Sequence, residues 1–286
     1  MSPRIVSLLA FALSVLVVSS TSLAAGPTTR PGTPAAPAKL VLLTQSKGFV
    51  HDVVKRKGGA PSVVERTFSK LADESKLFEV EWTDDASTLT ADRIASARVL
   101  VLYTTGDVPL DVKALDAWVT AGGTLVGVHC ATDTLKQTPA YTTLIGGVFD
   151  GHPWTADKTV TIKTDEPPEL LHPAAKPFAP AATFREEIYQ FKDVDFDRVR
   201  VLMSLDMHKT KEPKRPLHVP VAWCKGHGKG KVFYTSLGHR QDVWENPAFQ
   251  QHLIGAIRWG LTLEKGDATP NPDVHRVEDR LAKEAK

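Results

Sequence analysis

Three histidines stand where a reactive centre is easiest to build. His51 lies in Ser46-Lys47-Gly48-Phe49-Val50-His51-Asp52, His129 heads His129-Cys130-Ala131-Thr132-Asp133, and His239 closes Ser236-Leu237-Gly238-His239. Each segment directly follows an apolar run that reads as a strand, and Thr104-Thr105-Gly106-Asp107 follows another. Open α/β sheets bind ligands in the crevice outside the carboxyl ends of their strands. If these strands are parallel neighbours, the three imidazoles converge. Three neutral imidazoles with an open fourth position suit zinc or a similar divalent ion. The same rings without metal suit general acid and base catalysis, and both chemistries stay open at this point. The sharp end of Leu125-Val126-Gly127-Val128 at His129 has the geometry of a nucleophile elbow. A histidine at its tip, where Ser or Cys would stand, argues against an acyl-enzyme.

Other polar groups extend this set. In Gly151-His152-Pro153-Trp154 a proline turn fixes His152, and Trp154 beside it suits a sugar face. Arg185-Glu186-Glu187-Ile188-Tyr189 offers Glu187 as acid/base or as a group orienting a histidine, with Tyr189 and Asp52 as further substrate contacts. The same run also reads as a solvated charge stretch. Asp133 positions His129 or caps the next helix. His172, His208, His218, His227 and His275 are expected in solvated loops.

The elements that must hold these residues alternate. Strands are expected over 39–44, 78–82, 98–103 and 123–128, with helices over 61–77, 89–97 and 110–121, the last closed by Gly122-Gly123. That order predicts a doubly wound, mostly parallel sheet of a single α/β domain. The second half is less regular. Strands are expected over 158–164, 199–205, 219–224 and 230–236, the last two forming a hairpin around Gly226-His227-Gly228, and a helix over 246–261. No phosphate loop and no strand-linked GxGxxG is present, so a nucleotide cofactor is not indicated.

The 286 residues carry a formal charge of +2 with both signs interspersed, and no basic stripe points to nucleic acid. Arg4, the apolar stretch 5–18 and Ser22-Leu23-Ala24 make residues 1–24 a secretory signal peptide, with an uncleaved anchor as the alternative. The mature chain is then exported, periplasmic or secreted, with no stable membrane span. Residues 25–38 form a Pro/Ala-rich linker, 39–263 the domain, and 264–286 a polar tail expected to be loosely attached. Cys130 and Cys224 either pair after export or act as small buried hydrophobes.

At this point the residues match a family. The segments Gly48 to Asp52, Gly127 to Asp133, Phe149 to Pro153, Glu187 to Tyr189, Val221 to Trp223 and Gly230 to His239, followed by Trp244, Pro247 and Phe249, resemble the ThuA-like (trehalose utilisation) proteins. These sit within the class I glutamine amidotransferase-like superfamily. The resemblance implies a flavodoxin-like fold and a small-molecule carbohydrate substrate, a disaccharide or glycoside met as its 3-keto form. Superfamily amidotransferases carry Cys at the elbow. Here His129 matches that position and Cys130 is offset by one residue, which argues against glutamine hydrolysis. The expected protein is an exported enzyme acting on keto-sugars through His129, His239 and Glu187, with His51, His129 and His239 as metal ligands if zinc is bound. Two alternatives are a non-catalytic carbohydrate-binding module relying on Trp154 and a metal-dependent ester or amide hydrolase.

Overall fold

Strands form where apolar residues run together, and the ends of four of them share one edge. The computed structural model describes residues 36–210 and 218–284. The expected signal segment and nearly all of the linker lie outside the described residues. In chain order the strands are β1 (Ala38–Leu43), β2 (Phe78–Thr83), β3 (Val99–Leu102), β4 (Thr124–Val128), β5 (Val148–Phe149), β6 (Thr159–Thr164), β7 (Ala181–Arg185), β8 (Phe191–Lys192), β9 (Arg200–Leu205), β10 (Pro220–His227) and β11 (Gly230–Thr235). The helices are α1 (Val63–Ser75), α2 (Ala91–Ser96), α3 (Val112–Ala121), α4 (Pro139–Ile145), α5 (Gln241–Glu245), α6 (Pro247–Gly260) and α7 (Pro272–Glu284).

Nine strands form one sheet in the order β2-β1-β3-β4-β11-β10-β9-β6-β7. The first five are parallel to one another. The remaining four continue the sheet antiparallel. The chain passes from β1 outward to β2 and then back across β1 to β3, so the winding reverses between β1 and β3. Such a reversal leaves a crevice at the carboxyl edge. Late in the sequence, β11 enters beside β4 and brings residues 236–239 to the same edge.

Successive strand residues face opposite sides. Leu40, Leu42, Val99 and Val101 pack with Phe68 and Leu71 of α1 and Phe249 and Leu253 of α6. Val41, Leu43, Leu100 and Leu102 pack instead with Ile94 of α2, Leu115 and Val119 of α3 and Leu144 of α4. Both faces are covered, which is the expected α/β, flavodoxin-like arrangement.

One buried carboxylate fixes the segment that carries His51. Glu65 completes a capping box with Ser62 at the start of α1. It also accepts from Thr44 at the end of β1 (3.2 Å) and from Arg56 (2.7 Å). Burial would raise its pKa, but the bonds from Arg56 and Ser62 overrule that and hold it below the usual carboxylate range. The stretch between β1 and α1 is therefore tied at both ends and in its middle.

Two expectations differ from the structure. The tail is anchored: Asn271 accepts from Val201 N (2.7 Å) and donates to Val201 O (2.9 Å), and Asp267 pairs with Arg200 at 3.1 Å. His172 and His218 are buried at 0% and 1% exposure rather than solvated. His172 lies edge-on to Trp259, and His218 meets His275 at 3.2 Å. Both positions depend on segments distant in sequence, so local polarity misled. Among the described residues no helix is long and apolar enough to cross a membrane.

Candidate functional site

The site lies outside the carboxyl ends of β1, β3, β4 and β11. At the end of β4 the backbone of His129 turns into the left-handed region (φ 47°). For a residue with a β-carbon this costs ~1–3 kcal/mol and needs support from its surroundings. The support is visible. The Tyr234 hydroxyl donates to the His129 carbonyl (2.6 Å), and His129 Nδ1 lies 2.7 Å from the Ser236 carbonyl oxygen. A carbonyl only accepts, so Nδ1 carries the hydrogen and Nε2 is bare in the neutral ring.

That bare nitrogen faces two other acceptors. Nε2 is 3.4 Å from Glu187 Oε2 and 3.3 Å from His239 Nδ1, and His239 Nδ1 is 3.0 Å from the same Glu187 oxygen. His51 joins them, its ring centroid 4.8 Å from that of His129 and 5.1 Å from that of His239. His51, His129, Glu187 and His239 each place one ligand atom within 4.8 Å of all the others. Lone pairs brought this close repel unless a cation sits among them, either a proton or a metal ion.

The charge states follow from the surroundings. Burial lowers His129, and the opposing bond to Glu187 does not reverse it. Burial and the neighbouring imidazoles push His51 down to about 2. Burial would lower His239 as well, but Glu187 outweighs it and the ring ends above its ordinary value. Burial would raise Glu187, yet His129 and His239 overrule it and hold the carboxyl well below the usual range. A neutral His129 thus stands beside a His239 that favours its proton. Environments that push two adjacent groups apart mark an acid/base pair.

The donor set also fits a divalent ion. Zinc bonds of 2.0–2.1 Å in tetrahedral geometry imply ligand-to-ligand edges of roughly 3.3 Å. The three edges among His129, His239 and Glu187 run from 3.0 to 3.4 Å. His51 Nδ1 is buried with no hydrogen-bond partner.

A second layer of contacts fixes these four residues, as reactive and metal-binding groups require. Glu186 accepts from Glu187 N (2.8 Å) and Gly238 N (3.3 Å), joining the two segments that bear Glu187 and His239. Burial pushes its carboxyl up to about 8. The Gly238 carbonyl takes hydrogen bonds from the Tyr103 hydroxyl (3.0 Å) and Trp244 Nε1 (2.8 Å). Tyr189 N donates to Ser236 Oγ at 3.1 Å. Tyr103, Glu186, Tyr234 and Trp244 were missed as site residues from the sequence. Glu186 stood one position from Glu187, and Tyr234 and Trp244 lay in segments that carry the family resemblance, whereas Tyr103 gave no signal beyond ending a strand.

The remaining expected site residues are placed unequally. The Tyr189 ring lies 4.2 Å from that of His129, and its hydroxyl is 3.5 Å from His51 Nε2. His152 stands half-exposed at the mouth, with Nδ1 3.4 Å from Glu187 Oε1. Asp52 points to solvent and pairs with Lys55 at 2.6 Å. Asp133 pairs with Lys136 at 2.6 Å, and the N-cap position of α4 is held by Thr138, whose side chain makes no capping bond. Trp154 requires correction. It is 2% exposed and packs in the core, so it offers no ring to a sugar. Trp154→Ala is expected to cost about 3–5 kcal/mol of stability in chemical denaturation, the range for truncating a buried tryptophan. Both cysteines are buried free thiols. Burial raises Cys130 well above its ordinary value, which removes its capacity as a nucleophile.

Comparison with known proteins is consistent with this architecture. A family model described as "ThuA: Trehalose utilisation" matches residues 39–260. No protein of curated function matches significantly. Among solved structures, a putative ThuA-like protein from Bacteroides uniformis superposes with a TM-score of 0.64 at 21% identity, covering 84% of this chain and 97% of that one. One from Parabacteroides merdae gives 0.63 at 15% identity, covering 83% and 99%. A cold-adapted β-galactosidase from Rahnella gives 0.51 at 11% identity, covering 80% of this chain but 32% of that one.

Proposed function

From the premise that the chain belongs to the ThuA (trehalose utilisation) family, we propose that it is an exported enzyme acting on keto-sugars. Its substrates are 3-keto-disaccharides or 3-keto-glycosides, and its reaction centre is His51, His129, Glu187 and His239. The observation that carries this reading is the convergence of four donor atoms at the carboxyl ends of adjacent parallel strands.

A ketone at C3 acidifies the C–H at C2, and the glycosidic oxygen at C1 lies β to the carbonyl. A base that takes the C2 proton leaves an enolate, whose electron pair can expel the C1 oxygen. The departing oxygen must then receive a proton. His129 has no exposed surface, so it does not touch the sugar itself, as the sequence alone suggested it would. His239 and His152, which reach the mouth, are the imidazoles a substrate meets first. Glu187 connects them, Oε2 toward His239 and Oε1 toward His152. In this reading His152 accepts the C2 proton, His239 donates to the departing oxygen, and Glu187 balances both rings. His129 Nε2, 3.3 Å from His239 Nδ1, is placed to exchange a proton with it between turnovers. A divalent ion held by the four converging residues would polarise the ketone.

An NMR time course of 3-keto-trehalose and 3-keto-glucosides with the mature protein, alongside metal analysis of the same sample, tests the reading. New product signals from the wild type and none from His239→Ala are expected. Stoichiometric zinc or a similar ion, with activity lost on chelation and restored by that ion, would assign the metal-assisted form. Full activity in metal-free protein would leave the histidines as the sole acid/base groups. No turnover of any keto-sugar would overturn the assignment.

A further inference from the structure

We infer that the cavity beside His239 is a second subsite, built for a neutral, hydroxyl-rich unit such as the other sugar of a disaccharide, with Phe49 as its stacking platform. The inference rests on the proposed reaction centre for its purpose, but its own evidence is separate. The cavity has a volume of about 470 Å³ and opens directly from His239. That lies within the roughly 300–1,000 Å³ typical of small-molecule sites.

Phe49 forms one wall and is 64% exposed, the most exposed large apolar side chain among the described residues. Its posture is built rather than slack. The Thr105 hydroxyl donates to the Phe49 carbonyl (2.8 Å), and Lys47 N donates to the Thr105 carbonyl (2.8 Å). Gly106, with φ 71°, lets this loop approach so closely that a β-carbon there would lie 2.7 Å from Gly48 N. The ring itself stands edge-on to His51 at 4.9 Å between centroids. A fixed aromatic facing water beside a reactive centre suits the C–H face of a pyranose.

The polar lining sets the charge of the occupant. Asp52, Asp242 and Glu245 line the cavity together with Arg240 and the imidazole of His239. Arg240 is spent: it holds Asp242 by two bonds of 2.8 Å and donates to the Ala156 carbonyl at 3.1 Å. Asp52 is paired with Lys55 at 2.6 Å, and Gln241 donates to one oxygen of Glu245 at 2.8 Å, which leaves Glu245 the least engaged carboxylate of the lining. Carboxylates accept hydrogen bonds from hydroxyls and repel phosphates and uronates.

Calorimetry with trehalose and trehalose 6-phosphate reads this subsite without turnover, because neither carries the ketone. Trehalose is expected to bind at least tenfold more tightly than its phosphate. Phe49→Ala should weaken trehalose at least tenfold, and Glu245→Gln should narrow the gap between the two ligands. Leu170→Ala, an exposed apolar residue elsewhere on the surface, serves as the control that leaves both affinities in place. Equal binding of the two sugars, binding insensitive to Phe49→Ala, or no trehalose binding at millimolar concentration would overturn the subsite, even where keto-sugars are turned over. Phe49-dependent trehalose binding with no turnover of any keto-sugar would uphold the subsite and overturn the proposed reaction.

Discussion

Glu187→Gln is expected to lower kcat/KM on a 3-keto-glycoside by roughly a thousandfold, within the range of 10²–10⁴ for losing a positioned acid/base group. The size follows from how many partners this one carboxylate serves. Oε2 meets His129 and His239, and Oε1 meets His152. Glutamine keeps the shape but removes the charge that raises the pKa of His239. An amide oxygen also accepts more weakly from a protonated His239 than a carboxylate does. A metal held by the cluster would lose its one anionic ligand, so metal content should fall in the same variant. The NMR time course and elemental analysis read both effects, and a melting temperature close to wild type would show that the fold survives. Near-normal turnover together with undiminished metal would remove Glu187 from the reaction centre.

The parallel half of the sheet was legible because its strands are continuous apolar runs. Leu40 to Leu43 and Val99 to Leu102 are wholly buried, so no polar residue interrupts the pattern. The placing of His51, His129 and His239 after strands was legible for the same reason. Their actual meeting depended on β11 pairing with β4, more than a hundred residues earlier, which no local pattern specifies. Glu187 was ambiguous because Arg185-Glu186-Glu187 has the composition of a solvated run. Glu186 and Glu187 turn inward only because Gly238 N, His129 and His239 wait for them there. Trp154 misled in the opposite direction. A proline turn beside an aromatic looks like a binding edge, yet the Ile188 N bond to the Trp154 carbonyl (2.9 Å) draws that segment against the core. In each case the deciding partner is remote in sequence, and local composition carries no trace of it.

The protein is expected to lose stability steeply as the pH falls below about 6.5, because three buried histidines outside the site fold as neutral rings. Burial pushes His172 and His218 down to about 3 and His252 down to about 4. Each has a buried nitrogen, Nε2, with no hydrogen-bond partner, so a doubly protonated ring would leave at least one buried N–H unpaired. In the unfolded chain the same rings titrate near 6.5. Below that value the unfolded state binds more protons than the folded one, so protons favour unfolding. Above 6.5 the full contribution is present; it is lost progressively toward pH 4 to 3, where the folded rings also protonate. At about 1.36 kcal/mol per pH unit per group, each histidine costs about 2 kcal/mol at pH 5. Three together approach 6 kcal/mol, comparable with the whole stability of many domains at roughly 5–15 kcal/mol. His239, whose pKa is raised, and Glu186, pushed up to about 8, work in the opposite sense, but His51 and His129, both lowered by burial, offset them. Urea denaturation at pH 7, 6 and 5 should therefore show a falling midpoint. His252→Phe should reduce the slope by about a third, although it leaves the Ala174 carbonyl without its 2.6 Å bond and lowers stability at every pH. A midpoint constant from pH 7 to 5 would mean that the buried rings gain protons as easily folded as unfolded, and the account of their burial would fall with it.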